Sequence, residues 1–170
     1  RDVLGSRGLG DVYKRQDGNY VFRFLLRDGL PCFRREKAVD IAFDDKEQRL
    51  KLTEWESVVY IKYNQIVNFA VLTNKDIQTQ QKSVLGRAAV GGILLGGLGA
   101  VVGGMSGTGS RTDESIDTYV IFNYHPSDRP EEIETFAVLK FLTRGFGKFK
   151  KLMTKIIDDN RPEVPEGGYL

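Results

Sequence analysis

The stretch L-T-R-G-F-G-K-F-K-K-L-M-T-K-I-I, residues 142–157, has a periodicity different from that of the chain before it. Its apolar residues recur three and four positions apart: Leu142, Phe146, Phe149, Met153 and Ile156. This spacing predicts an amphipathic helix with one apolar stripe. The sequence Asp158-Asp159-Asn160, with Pro162 beyond it, predicts where the helix ends.

Upstream of this helix the apolar residues alternate with polar ones, which predicts strands. The predicted strands cover residues 20–26, 39–43, 49–53, 58–61, 66–73, 116–124 and 133–139. Turn signals such as Asp28-Gly29 separate them. Seven antiparallel strands and a closing helix predict a mainly β fold of the pleckstrin-homology-like (PH-like) type, a small barrel or sandwich capped by its C-terminal helix. Another small barrel or sandwich with a capping helix is the alternative.

A glycine-rich apolar insertion, residues 83–107, interrupts the strands. Gly92, Gly96, Ala100 and Gly104 fall four apart, and so do Gly99, Gly103 and Gly107. Rows of small residues at this spacing let helix backbones approach closely in lipid. Three interpretations remain open: a membrane-inserted glycine zipper, a compact hairpin packed on this chain or on another copy, and a mobile insertion.

If the insertion enters a membrane, we expect a helical hairpin rather than a single span. The strands on either side of it, 66–73 and 116–124, should share one sheet, so both ends must emerge on the same side. The predicted helices, 84–95 and 98–105, are each too short to cross about 30 Å of hydrocarbon. The hairpin should turn near Gly96–Gly97 with its small residues facing inward. The residues expected to face outward are Ile93, Leu94, Leu95, Val101 and Val102.

The predicted organisation is a PH-like domain over residues 17–160 that contains the insertion and a flexible linker, 108–115. Residues 1–16 resemble a non-native or disordered leader, and residues 161–170 resemble a disordered tail. The leader carries four of the 25 basic residues and two of the 23 acidic ones, so the remainder has 21 of each. Net charge therefore gives no support for a nucleic-acid partner.

The sequence offers no catalytic grouping, no metal site and no cofactor motif. His125 is the single histidine and lies beside Pro126 in a predicted turn. Cys32 has Arg34 and Arg35 nearby, which could lower the pKa of a thiol, but no histidine pairs with it. Neither a Walker-type phosphate loop nor a G-x-G-x-x-G motif is present. We therefore expect a non-enzymatic protein.

Basic residues provide the remaining functional signal. Those expected to contact anionic lipid are Lys82, Arg87, Arg111, Lys148 and Lys151, which flank the insertion or lie on the predicted helix. Cations next to an apolar insertion favour an anionic cytoplasmic leaflet. The alternative for the helical lysines is a solvated face whose charges complement the dipole at the helix C-terminus.

Several segments resemble a group of bacterial proteins, common in Firmicutes, in which a glycine-rich hydrophobic hairpin interrupts a PH-like or GRAM-like domain. The matching segments are D-G-L-P-C, Q-I-V-N-F-A-V-L-T-N-K-D-I, the insertion with its lead-in K-S-V-L-G-R, and Y-V-I-F-N-Y. Together they span about residues 28–159. The resemblance implies the fold and a membrane-proximal role, and it brings no catalytic residues.

Two functional hypotheses follow from the sequence. The first is a non-enzymatic module on the cytoplasmic side of a bacterial membrane, attached through the insertion to anionic lipids. The second is a soluble self-association or protein-binding module in the cytoplasm, in which the glycine rows pair between copies or dock on a partner protein.

Overall fold

The computed structural model describes residues 13–14, 20–81, 89–90, 93–94, 116–141 and 145–161. The strands are β1 Tyr13–Lys14, β2 Tyr20–Asp28, β3 Ala38–Asp44, β4 Arg49–Glu54, β5 Ser57–Lys62, β6 Ile66–Thr73, β7 Ala89–Val90, β8 Ile93–Leu94, β9 Thr118–Tyr124 and β10 Glu134–Leu139. The described residues also form two α-helices: α1, Asn74–Gln81, and α2, Phe146–Asp159. A short 3₁₀ turn, Tyr63–Gln65, joins β5 to β6.

Seven of these strands form one antiparallel sheet in the order β5-β4-β3-β2-β10-β9-β6. They correspond to the seven strands predicted from alternation, and α2 corresponds to the predicted helix, so the mainly β fold with a C-terminal helix is confirmed. β2 joins the two halves of the sheet, because Leu25 pairs with Ala38 of β3 on one side and with Leu139 of β10 on the other. The register between β2 and β10 shifts after Ala137, at a bulge.

Gly29 ends β2 for a steric reason. Its φ of 93° is a conformation that side chains rarely adopt. A Cβ at this position would lie 2.0 Å from the carbonyl oxygen of Thr135 and 2.5 Å from Cα of Phe136. The β2–β3 loop can therefore turn tightly against β10 only because residue 29 is glycine.

The main core lies between the sheet and α2. Phe149, at its centre, is fully buried, as are Met153 and much of the inner face of the sheet. The ring of Phe149 meets Phe22 and Phe24 at centroid distances of 5.2 and 4.9 Å, both edge-on. This confirms the apolar stripe predicted for the C-terminal helix from Phe146 to Ile156, whereas Leu142 lies outside the described residues.

The structure corrects one expectation and adds two elements that were not predicted. The predicted helix over residues 84–95 is wrong where the chain is described, because Ala89–Val90 pairs antiparallel with Ile93–Leu94. The register leaves Gly91 and Gly92 between the strands, and two glycines between apolar pairs are a strong hairpin signal that competes with helical spacing. The polar segment after β6 forms α1, which was not predicted. Tyr13–Lys14, within the presumed leader, pairs with β2.

The position of Phe149 predicts the cost of removing its ring. Phe149→Ala should destabilise the domain by about 3–5 kcal/mol, since it deletes a buried ring that α2 and three strands share. Urea unfolding followed by circular dichroism measures the change, with Phe149→Leu as a milder substitution if the alanine variant does not fold. Thr154→Ala, at an exposed position on the same helix, should change stability by no more than about 0.5 kcal/mol. Equal losses for Thr154→Ala and Phe149→Ala would contradict this assignment of the core.

Candidate functional site

The chain leaves the sheet at the end of β6 and returns to it at the start of β9, two neighbouring positions that we call the exit point. β6 and β9 are adjacent antiparallel strands, and their ends, Thr73 and Thr118, are paired. Just beyond them, the backbone N–H of Asn74 donates to the carbonyl oxygen of Asp117 at 3.1 Å. The expectation that the strands flanking the insertion share one sheet is confirmed.

A reciprocal cap fixes the exit of the chain from β6. The backbone N–H of Thr73 donates to Oδ2 of Asp76 at 2.8 Å, and the backbone N–H of Asp76 donates to Oγ1 of Thr73 at 3.2 Å. This is a capping box at the start of α1. The hydrogen bond from the Thr73 backbone, reinforced by the Thr73 hydroxyl, lowers the pKa of Asp76. The direction of the chain at the start of α1 is therefore set by local hydrogen bonds.

A second apolar cluster lies on the face of the sheet opposite the main core. Its buried members are Ile77, Tyr119, Ile121, Ala137 and Leu139. Ile77 is buried among the described side chains of α1, so α1 packs on this face beside the exit point. β8, the second strand of the short hairpin within the insertion, contacts β6 and β9. β8 thus lies against its own domain.

Lysines and exposed apolar side chains lie just before β9, just after β10 and at the start of α2. We define the root surface as Ile116, Lys140, Phe141, Lys148 and Lys150. Ile116 and Phe141 are 63% and 44% exposed, and the N–H of Lys140 donates to the carbonyl oxygen of Thr118 at 2.8 Å. The ammonium groups of Lys140 and Lys150 lie 5.1 and 5.6 Å from the ring centroid of Phe146. That of Lys148 lies 3.5 Å from the ring centroid of Tyr20.

The charges of α2 oppose its helix dipole. Lys148, Lys150 and Lys151 lie in the N-terminal half, and no acidic residue occupies the first turn. Asp158 and Asp159 are at the C-terminal end, where the last turn holds no basic residue. Lys148 in the first turn, and Asp158 and Asp159 in the last, are each unfavourable by a few tenths of a kcal/mol to about 1 kcal/mol. Because the helix begins only at Phe146, these lysines do not complement the dipole at its C-terminus, whereas the solvated face remains an alternative.

The arginines around the β2–β3 loop are paired, in contrast to these lysines. Arg34 binds the buried carboxylate of Glu54 through Nε at 2.9 Å and through its backbone N–H at 3.1 Å, and this backbone hydrogen bond is the main cause of the lowered pKa of Glu54. Arg35 pairs with Asp28. None of the lysines of the root surface pairs with a carboxylate within the described ranges. Positive charge is thus neutralised at the loop and left uncompensated at the root surface.

The structure describes only part of the predicted site. Lys148 and Lys151 are exposed on α2, and Ile93 and Leu94 form β8. The other predicted positions lie outside the described residues: Lys82, Arg87, Gly92, Leu95, Gly96, Gly97, Gly99, Ala100, Val101, Val102, Gly103, Gly104 and Arg111. Sequence reasoning missed Ile116 and Phe141, because alternation placed Ile116 inside a strand.

Two searches of the described residues give the following results. They contain no group of three or more His, Cys, Asp or Glu side chains placed to hold a metal ion. Within the same residues, no helix combines the length and apolar character that a membrane crossing requires. The imidazole Nδ1 of His125 lies 2.7 Å from the carbonyl oxygen of Glu132, which is a contact within the β9–β10 turn.

Comparison with known proteins identifies one relationship. A family model described as "Glycine zipper containing PH domain" matches residues 32–125, from the β2–β3 loop through the insertion to the end of β9. No curated protein and no solved structure matches the chain.

The cap at Asp76 predicts a local pH dependence. Because the pKa of Asp76 is lowered in the folded state, its carboxylate stabilises the start of α1 fully above the pKa of an unfolded aspartate, about 3.9. That contribution is lost as the pH falls through the lower folded pKa. Backbone carbon chemical shifts of residues 74–77 should therefore move toward coil values in acid, while those of β9 stay unchanged.

Asp76→Asn should loosen α1 already at neutral pH and remove this titration. Glu131→Gln, at an exposed position in the β9–β10 turn, is the matched control and should leave the titration intact. An unchanged acid transition of α1 in Asp76→Asn would show that another group governs it.

Proposed function

The chain belongs to the family of glycine zipper containing PH domains, and we propose that it is a non-enzymatic module that docks on an anionic membrane with its root surface toward the bilayer. The observation that carries this proposal is the set of root-surface lysines, none of which pairs with a carboxylate within the described ranges. Lys148, in the first turn of α2, opposes the helix dipole, so this interaction does not stabilise the helix. Anionic headgroups would pair with these lysines, at about 1 kcal/mol per lysine near the surface.

The exposed apolar residues of the root surface support the same orientation. Ile116 and Phe141 stand where β9 begins and just after β10 ends, next to the lysines. Apolar side chains ringed by lysines are typical of surfaces that sit at the boundary between headgroups and acyl chains. The strands that precede and follow the insertion also meet here, at the Thr73–Thr118 pair. A segment anchored in this way would enter and leave the membrane from one side.

The part of the insertion available to the bilayer is short. A two-stranded ribbon leaves backbone amides unpaired at its edges, which hydrocarbon does not tolerate, so β7 and β8 belong on the protein, where β8 contacts β6 and β9. Residues 95–105 then remain, and they would span about 16 Å as a helix. That length suits shallow insertion rather than a crossing of about 30 Å. We therefore propose that these residues dip into the cytoplasmic leaflet.

Self-association through the glycine rows is the second candidate, and the position of β8 favours it. Because β8 lies against β6 and β9, the start of the insertion already packs on protein. The glycine rows that follow could pack on the same rows of another copy or on a partner protein. In this case binding would need no lipid.

Vesicle binding tests the first candidate. The full chain should co-float with vesicles rich in phosphatidylglycerol and not with vesicles of phosphatidylcholine alone. Lys148→Gln with Lys150→Gln should weaken binding about thirtyfold, from about 1 kcal/mol per lysine. Lys46→Gln with Lys51→Gln removes the same charge from the other half of the sheet and should leave binding unchanged. Equal losses in the two double variants would contradict docking through the root surface.

The single tryptophan reports the orientation in the same experiment. Trp55 is 83% exposed at the β4–β5 turn, in a shallow cavity with Cys32 and Arg34 rather than with the root surface. Its emission should stay at the wavelength of an indole in water when the chain binds vesicles. A shift to the blue would mean that the loop end of the domain enters the interface, contrary to the proposal.

Substitutions in the glycine rows test the second candidate. Gly96→Leu and Gly104→Leu in the full chain, measured by light scattering without lipid, should disperse oligomers built on these rows, because a leucine side chain separates the backbones. Ala88→Leu, before the rows begin, is the control. If neither glycine substitution changes the oligomeric state in solution, association through the rows is excluded.

A further inference from the structure

β5 is an edge strand that the rest of the described chain leaves open. It pairs with β4 along one edge, and no described strand pairs with the other. The strand at the opposite end of the sheet, β6, is contacted by α1, α2 and β8. An uncovered edge of six residues without proline offers its backbone groups to another strand.

The side chains of this hairpin make the edge more apolar than an unprotected edge usually is. Val58 and Tyr60 are 41% and 47% exposed and point to the outer face, while Val59 and Ile61 pack toward the core. The guanidinium carbon of Arg49 lies 4.1 Å from the ring centroid of Tyr60, which holds the ring flat on the sheet. Trp55 extends the same end of the hairpin. Its φ of 53° shows that the two-residue turn requires a left-handed conformation at this position.

We propose that β5 pairs antiparallel with β5 of a second copy of this chain, across a two-fold axis at Val59. Directly opposite residues in a sheet share a face, so the axis can pass only through a residue and not between two. The candidates are therefore Val58, Val59 and Tyr60. This interface is separate from the glycine rows and needs no lipid, so it goes beyond the membrane docking proposed above.

The charge and burial of the facing side chains favour Val59 over Val58 and Tyr60 as the position of the axis. With the axis there, Val58 faces Tyr60 of the second copy, an apolar pair of the β-branched and aromatic type that stabilises sheets. Glu56 of each copy then faces Lys62 of the other, which makes two such pairs. Neither forms an ion pair within the described ranges, and both are exposed, so each gains a partner of opposite sign.

The other two axes pair the side chains poorly. An axis at Val58 would set Glu56 against Tyr60, and would draw Lys62 toward Glu54, which is buried and already bound to Arg34. An axis at Tyr60 would set Val58 against Lys62. The pairing at Val59 is isologous: each copy uses the same β5 edge, and β6, at the other end of the seven-stranded sheet, is contacted by α1, α2 and β8, so the sheet does not extend beyond a dimer.

Disulfide trapping tests the register. In the full chain with Cys32→Ser, Val59→Cys places two thiols directly opposite each other, at the Cα separation that antiparallel pairs share with disulfides, about 4.5–5.5 Å. Mild oxidation should yield a covalent dimer. Val58→Cys is the matched control. With the axis at Val59, residue 58 of one copy faces residue 60 of the other, so the two cysteines lie two residues out of register, with Cα atoms beyond about 7 Å. This variant should therefore stay monomeric on oxidation. Cross-linking of Val58→Cys in preference to Val59→Cys would overturn the proposed pairing.

A charge exchange tests the pairing without cysteines. In sedimentation velocity, Lys62→Glu should raise the dimer dissociation constant at least about tenfold by facing two carboxylates. Adding Glu56→Lys should restore it to within about threefold, a rescue that a merely misfolded variant would not show. Gly96→Leu should leave the dimer intact. A monomeric parent chain at all accessible concentrations, failure of the rescue, or loss of the dimer in Gly96→Leu would each overturn the proposal.

Discussion

The contact between Phe149 and the aromatic rings of the sheet is the interaction on which the rest of the structure depends. The ring meets Phe22 and Phe24 from β2, Phe43 from β3 and Phe122 from β9, all edge-on, at centroid distances from 4.9 to 6.3 Å. Such pairs add roughly 0.5–1.5 kcal/mol each beyond the burial of their area. Because β3 and β9 lie on opposite sides of β2, one side chain of α2 ties together both halves of a bent sheet.

This arrangement leaves the β6–β9 connection as a place where the fold tolerates an insertion. The core is closed by α2 on the inner face, and the ends of β6 and β9 are already paired at Thr73 and Thr118. Lengthening a loop whose ends are fixed neighbours costs little, since the closure entropy grows only with the logarithm of its length. The Thr73–Asp76 cap and the burial of Ile77 then give the exit a defined direction. The insertion can therefore diverge in sequence toward membrane or partner contacts without disturbing the core.

Alternation and helical spacing predicted β2 to β6, β9, β10 and α2 because each carries several apolar residues at its own period. These two patterns failed where few of the described side chains are buried, because the sequence there carries little apolar periodicity. α1 buries Ile77 among its described side chains, and its capping box, T-N-K-D, was the feature that could have revealed it. In the insertion, V-G-G-I predicts a hairpin and the four-residue glycine spacing predicts a helix. At these positions the tertiary contact of β8 with β6 and β9 decides between hairpin and helix. This contact joins residues far apart in the sequence, so no short stretch predicts it.

Of the root-surface lysines, the sequence analysis named Lys148 but not Lys140 or Lys150, and it did not give the reason these lysines matter. That reason depends on where α2 begins, which sets them against the dipole, and on pairings over long separations such as Arg34 with Glu54. The planar guanidinium suits paired binding of carboxylates, whereas a lysine ammonium stays hydrated and open to exchange for a headgroup.

A chain with almost no net charge can thus have a neutral loop end and a positive root surface, a polarity that composition alone conceals. The proposed dimer edge at β5 belongs to the half of the sheet beyond β2, whereas the root surface lies at the ends of β6, β9 and β10 and the start of α2. Pairing through β5 therefore leaves the lysines uncovered. Association between copies and docking on a membrane would use different parts of one domain and need not compete.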